Sequence, residues 1–214
     1  MKEVEEGWRA LMGKRTLVLC AALAVAVLTA TVWWFRPSSE EVLAVPERVC
    51  GGTFFGKKLE PLLRGGKGEM KANVVRKFPG SRKMSDVPVC ELSTKGRSVS
   101  FRVDYSGFPN DPLAELEKEN DFVAEFGPAH GTYDDLNGTV HFGIPCPTAE
   151  SPDDTLFLNV GASMARDADA AGMAKLAELA GYAARTLAQD VYKCKGADEL
   201  PEGPVSIRRG EGSR

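Results

Sequence analysis

Residues Thr16–Phe35, TLVLCAALAVAVLTATVWWF, form a run of twenty amino acids without a charge, bounded by Lys14-Arg15 and Arg36. In a helix this run is about 30 Å long, which matches the hydrocarbon thickness of a bilayer. The run decides the arrangement of the chain, because it predicts a transmembrane helix followed by a separate folded domain.

The basic residues around the run predict its orientation. Four precede it: Lys2, Arg9, Lys14 and Arg15. Only Arg36 follows it closely, and basic flanks stay on the cytoplasmic side. We therefore predict a single-pass protein of the cell membrane, with a cytoplasmic N-terminus and an extracellular C-terminal domain. A cleaved signal peptide is the alternative, although its apolar core is normally only about 7–15 residues long.

Cysteine placement indicates an oxidising compartment. Four of the five cysteines follow the apolar run: Cys50, Cys90, Cys146 and Cys194. An even number in a translocated domain predicts two disulfides. Sequence leaves three connectivities open, and we favour Cys50–Cys90 with Cys146–Cys194, because each bridge then closes its own half of the domain. The cysteines form no C-x-x-C pair, so we predict no metal and no cofactor.

The chain divides into five segments by composition. They are a cytoplasmic tail at 1–15, a transmembrane helix at 16–35, a linker at 36–48, an extracytoplasmic domain at 49–200 and a disordered tail at 201–214. We predict an α+β fold for the domain, with an antiparallel or mixed sheet of about five strands packed by helices.

Hydrophobic periodicity places the main elements. The predicted strands are 70–78, 87–92, 99–105, 140–144 and 156–161, and the predicted helices are 57–64, 110–126 and 167–193. Alternation of Val99, Phe101 and Val103 with polar residues is typical of a half-buried strand. Leu176, Ala180 and further apolar residues at helical spacing indicate the core face of the last helix.

Charge is unevenly distributed along the domain. Residues 57–83 contain nine basic residues against Glu60 and Glu69, whereas residues 104–154 contain twelve acidic residues against Lys118. One interpretation is that basic residues contact anionic lipid or wall polymer; the candidates are Lys71, Arg76, Lys77, Arg82 and Lys83. Two others are that the acidic part receives a basic partner, or that both parts are solvated surfaces that attract one another. We predict no nucleic-acid partner.

No catalytic residue is predicted. His130 and His141, the two histidines, could form a small metal or acid–base site with Asp134 and Asp135, because the stretch around His130 is loop-like. Structural or exposed histidines are the simpler interpretation. The chain lacks G-x-S-x-G, H-E-x-x-H and the phosphate-binding glycine motifs.

Three further features suggest a family. They are the Cys50-Gly51-Gly52 start of the domain, the Val89-Cys90-Glu91-Leu92 strand, and a long alanine-rich helix that ends at Cys194. With the single N-terminal span, these resemble the uncharacterised membrane-anchored or lipid-anchored envelope proteins of high-GC Gram-positive bacteria. The chain lacks the lipobox cysteine of the lipid-anchored members. The resemblance implies a compartment and a fold class, and no active site.

We expect a membrane-tethered extracytoplasmic domain that is non-enzymatic and binds an envelope component or a protein partner. The alternative is a cell-wall-directed hydrolase or small-ligand enzyme that uses carboxylates such as Asp134, Asp135 or Glu150. A third hypothesis is assembly through the span, in which Ala22, Ala26 and Ala30 share one helix face.

Overall fold

The structure, a computed structural model, describes residues 43–79, 87–106 and 110–212. Its strands are β1 (Arg48–Val49), β2 (Phe54–Phe55), β3 (Lys67–Val74), β4 (Val89–Lys95), β5 (Arg97–Ser106), β6 (Phe122–Phe126), β7 (Ala129–Asp134), β8 (Thr139–Pro145), β9 (Thr155–Ala162) and β10 (Ser206–Arg209). Its α-helices are α1 (Gly56–Leu63), α2 (Leu113–Glu119) and α3 (Ala170–Arg185). These elements confirm the predicted α+β class.

Strands β3 to β10 form one sheet in the order β10-β6-β7-β8-β9-β5-β4-β3. Every neighbouring pair is antiparallel. Strands β1 and β2 pair separately with each other. The main sheet has eight strands rather than about five, because β6, β7 and β10 were not expected.

One face of the sheet forms the core. Along β5, Val99, Phe101 and Val103 are buried at alternate positions, as their spacing predicts. Helices α1 and α3 pack against this inner face. Phe54 of β2 stacks on Phe101 with ring centroids 4.3 Å apart. Burial of each such side chain stabilises the fold by about 1.5–3 kcal/mol.

The outer face is polar, and α2 lies over only the part formed by β6 and β7. The side-chain amide of Asn110 donates to the carbonyl oxygen of His130 at 2.5 Å, and His130 Nε2 donates to the carbonyl oxygen of Asp111 at 2.8 Å. Val123 of β6, which is opposite Thr132 on this face, is fully buried. The segment that precedes α2 is therefore bound to the outer face.

Helix α3 is shorter than its predicted range of 167–193. Asp167 has a φ of 57°, in the left-handed region, so it cannot belong to the helix. Asp169 is the N-cap instead, and its carboxylate accepts a hydrogen bond from the Gly172 amide at 2.8 Å. After α3, Thr186–Val191 forms a π-helical turn before the chain reaches Cys194.

The predicted helix at 110–126 is wrong in its second half. Helix α2 ends at Glu119, and Asn120 has an extended backbone from which the chain enters β6. Pro112 occupies the N-cap position of α2. Local propensity favoured a longer helix, but pairing of β6 with β7 and β10 satisfies its backbone groups in the sheet.

The predicted disordered tail is also corrected by the structure. Strand β10 pairs with β6 along its whole length. Val205, just before it, is buried, and its amide donates to the carbonyl oxygen of Ala177 at 3.0 Å. Beyond β10, the Gly210 amide donates to the carbonyl oxygen of Asp121 at 2.8 Å. Residues 205–210 are therefore part of the fold.

The compact unit also begins earlier than the predicted boundary at residue 49, because it starts at Leu43. Leu43 and Val45 pack against the core. The Gly56 amide donates to the carbonyl oxygen of Glu47 at 2.9 Å. A Cβ at Gly56 would overlap the carbonyl oxygen of Pro46, so the entering chain lies directly against the start of α1.

The predicted transmembrane helix at 16–35 and its cytoplasmic tail lie outside the described residues. Within residues 43–79, 87–106 and 110–212, none of the helices combines the length and the apolar character needed to cross a bilayer.

Candidate functional site

Both disulfides form with the favoured pairing. Cys50 is bonded to Cys90 and Cys146 to Cys194, with Cα–Cα distances of 5.5 Å and 4.5 Å. Cys90 lies at the start of β4, and Cys146 directly follows β8. Because the strands between them are antiparallel, the start of β4 and the end of β8 lie at the same end of the sheet, which we call the disulfide end. The opposite end, where residues 135–138 join β7 to β8, is the turn end.

The predicted basic residues lie on and just after the edge strand β3. Lys71 is on β3, Arg76 and Lys77 follow it, and all three are exposed. Arg82 and Lys83 lie outside the described residues. Lys77 runs alongside the backbone of Gly51, since a Cβ placed there would be 3.2 Å from the Lys77 Cγ. Lys77 is thus adjacent to the Cys50–Cys90 bridge at the disulfide end.

The edge of the sheet concentrates further positive charge. Lys67 of β3 is directly opposite Lys95 of β4, and both side chains are exposed. Like charges at facing positions are destabilising. Strand β3 therefore carries a repulsion between like charges at its first residue, at the turn end.

Two exposed apolar side chains accompany these cations, and sequence reasoning missed both. Phe55 is 42% exposed and Val75 is 63% exposed. The Arg48 guanidinium lies over the Phe55 ring, 3.5 Å from its centroid. The Val75 amide donates to the carbonyl oxygen of Val89 at 3.0 Å. Phe54 and Phe55 are identical in type, and only the fold shows which of them faces water.

A groove of about 950 Å³ lies between α1, α3 and residues 198–204. Lys57, Lys58 and Lys175 line it together with Glu178 and other residues of both charge signs. The mixed charges do not favour one class of ligand.

The floor and wall of this groove are held by hydrogen bonds. Arg185 Nη1 donates to the carbonyl oxygens of Pro201 and Gly203 at 2.7 and 3.2 Å. The Tyr182 hydroxyl accepts a hydrogen bond from the Phe55 amide at 2.9 Å. Both polar side chains thus support the loop and β2 rather than presenting free groups to a ligand.

A second, shallower cleft of about 430 Å³ lies on the open outer face near the turn end. It is lined by Glu91, Asp134, His141, Arg166 and several serines. His141 Nδ1 donates to Asn159 Oδ1 at 2.5 Å, which orients the imidazole across the sheet. The predicted loop around His130 is instead strand β7, because it pairs with both β6 and β8.

Two ionisable groups beside this cleft have shifted pKa values. The pKa of Asp134 is lowered, mainly because the Asn137 side-chain amide donates to its carboxylate at 2.6 Å. The pKa of Tyr133 is raised to about 12, first by burial and then by the charge of Asp135 and Asp134. Its hydroxyl donates to the carbonyl oxygen of Ala165. Both shifts belong to groups held by structural hydrogen bonds.

The carboxylates that a hydrolase would need are not brought together. Asp134 and Asp135 lie at the turn end, whereas Glu150 lies in the loop after β8, at the disulfide end. Seven residues of β8 separate the two places, a distance of roughly 20 Å. In the part of the chain that is described, no three His, Cys, Asp or Glu side chains are placed to hold a metal ion.

No protein-family model, curated protein or solved structure matches this chain.

Proposed function

We propose that this protein is a membrane-tethered, extracytoplasmic domain that binds an anionic component of the cell envelope without chemical catalysis. The observation that carries the proposal is the exposed row of Lys71, Arg76 and Lys77 on and after β3. Anionic lipid headgroups and anionic wall polymers share the chemistry that such a row would recognise.

The compartment is supported by the two disulfides. Each bridge closes a long loop, with sequence separations of 40 and 48 residues. Disulfides of this kind persist in oxidising surroundings outside the cytoplasm. The uncharged run at 16–35 and its basic flank supply the expected tether and orientation.

Binding is favoured over catalysis by the positions of the reactive side chains. The rings of His130 and His141 are engaged by Asp111 and Asn159. Lys71 and Lys77, by contrast, are exposed. These two side chains are therefore cations suited to recognising anions.

The proposal is tested with the full-length chain in nanodiscs of zwitterionic lipid and dye-labelled polyphosphate as the probe. We expect binding that weakens as salt increases, because the contact is between exposed charges. Since each basic residue near an anionic surface contributes about 1 kcal/mol, the variant K71E/K77E should bind at least about tenfold more weakly.

The matched control is K118E/K195E, which makes the same charge change at two exposed lysines away from β3. Lys118 is on α2 over β6 and β7, and Lys195 follows Cys194, which is bonded to Cys146 after β8. These strands are four or more positions from β3, about 19 Å or more, which exceeds a Debye length. The control should therefore alter the affinity by less than about twofold. Equal losses in the two variants, or no binding by the unmodified chain, would overturn the proposal.

A further inference from the structure

We propose that the disulfide end, on the side of β3, docks directly onto an anionic phospholipid leaflet. Phe55 and Val75 enter the headgroup boundary, and Arg48, Lys57 and Lys77 contact the phosphates. This inference rests on the proposed function and specifies its partner as lipid rather than wall polymer.

The apolar and basic side chains lie in two segments that one disulfide holds together. Phe55 of β2 pairs with Arg48 of β1, and Arg48 is two residues before Cys50. Val75 is bound to Val89, next to Cys90. The Cys50–Cys90 bridge therefore joins the two segments, and it holds Phe55 and Val75 at the same corner of the domain.

The composition of this corner suits an interface between water and lipid. An exposed aromatic ring and an exposed valine stand among cations, which is the pattern of surfaces that insert shallowly into anionic membranes. Lys57 extends from the first turn of α1, two residues after Phe55.

The chain enters the domain at this same corner. Val45 and Pro46 lie against Gly56 at the start of α1. Eight residue steps separate Phe35, at the end of the predicted span, from Leu43. Even when fully extended they reach at most about 29 Å. A tether this short keeps the corner at a high effective concentration near the leaflet.

The acidic loop between β8 and β9 predicts how the domain is oriented on the leaflet. Glu150, Asp153 and Asp154 lie in this loop at the disulfide end, but on the other half of the sheet. β8 is four strand positions from β3, or about 19 Å. An anionic leaflet attracts the β3 side and repels this loop, so the domain should tilt with β3 towards the lipid.

The test places a tryptophan at each exposed apolar position of the full-length chain. Trp8, Trp33 and Trp34 are first replaced by phenylalanine, so that Phe55→Trp or Val75→Trp supplies the only tryptophan of the chain, which is excited selectively. The chain is studied in nanodiscs of phosphatidylglycerol with brominated phosphatidylcholine. Bromine in the upper acyl chain should reduce the emission of both probes at least about twofold, because interfacial residues insert to about 5–10 Å.

Leu136→Trp is the matched control, because Leu136 is 75% exposed and lies in the turn at the opposite end of the sheet. Its emission should be unchanged by bromine. Adding K57E/K77E should abolish the quenching of Phe55→Trp. Circular dichroism checks that each variant folds. If Phe55→Trp does not fold, Val75→Trp provides an independent probe.

The outcomes separate this inference from the proposed function. Unquenched probes in a chain that still binds polyphosphate would overturn lipid docking and leave anion binding in place. Equal quenching of Leu136→Trp would overturn the proposed orientation. Loss of both quenching and polyphosphate binding would overturn both proposals.

Discussion

The basic half of the sheet, formed by β3, β4, β5 and β9, and the acidic half, formed by β6, β7, β8 and β10, each end at one disulfide, yet they balance charge differently. In the acidic half, Arg208 of β10 pairs with Glu125 at 2.5 Å and also with Glu117. In the basic half, Lys67 is opposite Lys95. Arg102 and Asp104 of β5 also pair, at 2.8 Å, so the like charges of the basic half are confined to its edge. The comparison shows that strand pairing brings opposite charges together at β10 and like charges together at β3.

Removing one disulfide at a time tests how much each bridge stabilises its half of the sheet. The variants C50S/C90S and C146S/C194S should each lose about 4 kcal/mol of unfolding free energy, because their loops of 40 and 48 residues gain similar chain entropy when unfolded. Urea unfolding of oxidised protein measures this. The reduced form of the unmodified chain is the control, and it should be destabilised more than either variant. A bridge whose loss left the midpoint unchanged would show that its half is held by packing alone.

The stability of the acidic half should also depend on residues 205–210, at the C-terminal end of the domain. Val205→Ala removes buried methyl groups beside Ala177 and should cost about 2 kcal/mol. Ser206→Ala, at the neighbouring exposed position, should change the unfolding free energy by less than about 0.5 kcal/mol. If the two variants had equal stability, the tail would contribute little to the fold.

The smallest expected effect is a dependence of the unfolding free energy on pH, which arises from Asp134 of β7. The pKa of Asp134 is lower in the folded than in the unfolded protein. Its contribution is therefore present above the unfolded pKa of about 3.9, and it is lost as the pH falls through the folded pKa. Asp134→Asn should flatten the acid limb of the stability curve, measured by thermal unfolding at stepped pH. Asn137→Ala should flatten it in part, and an unchanged slope in both variants would contradict this origin.

Much of the central fold could be predicted from the sequence. The alternation around Phe101 predicts β5, and the apolar spacing from Leu176 to Leu187 predicts the buried stripe of α3. These patterns are local, because the period of a strand or a helix is written in neighbouring residues. The disulfide pairing also followed from which cysteines share a half of the domain.

The missed strands have a different origin. Residues 129–134, AHGTYD, contain a glycine and an aspartate and lack the composition of a strand, yet they pair on both sides as β7. Strand β10 follows a proline and a glycine and has four residues. Both form because neighbouring strands supply hydrogen-bond partners, an effect that no local window of sequence contains.

The surface that we propose to bind anions could be predicted from the sequence only in part. Its basic residues follow from charge counting, since Lys71, Arg76 and Lys77 lie in one basic stretch. Its apolar members do not, because Phe54 and Phe55 are neighbours and the pairing of β1 with β2 decides which one is buried.

The sequence by itself determined the α+β class and the uneven charge, and it predicts the tether and an oxidising compartment, since each depends on composition or local period. Only the tertiary structure decided that both disulfides, the entering chain, Phe55 and Lys77 lie towards one end of the sheet. The reason is that strand order and register bring together residues far apart in the chain, and these are set by the packing of the whole core.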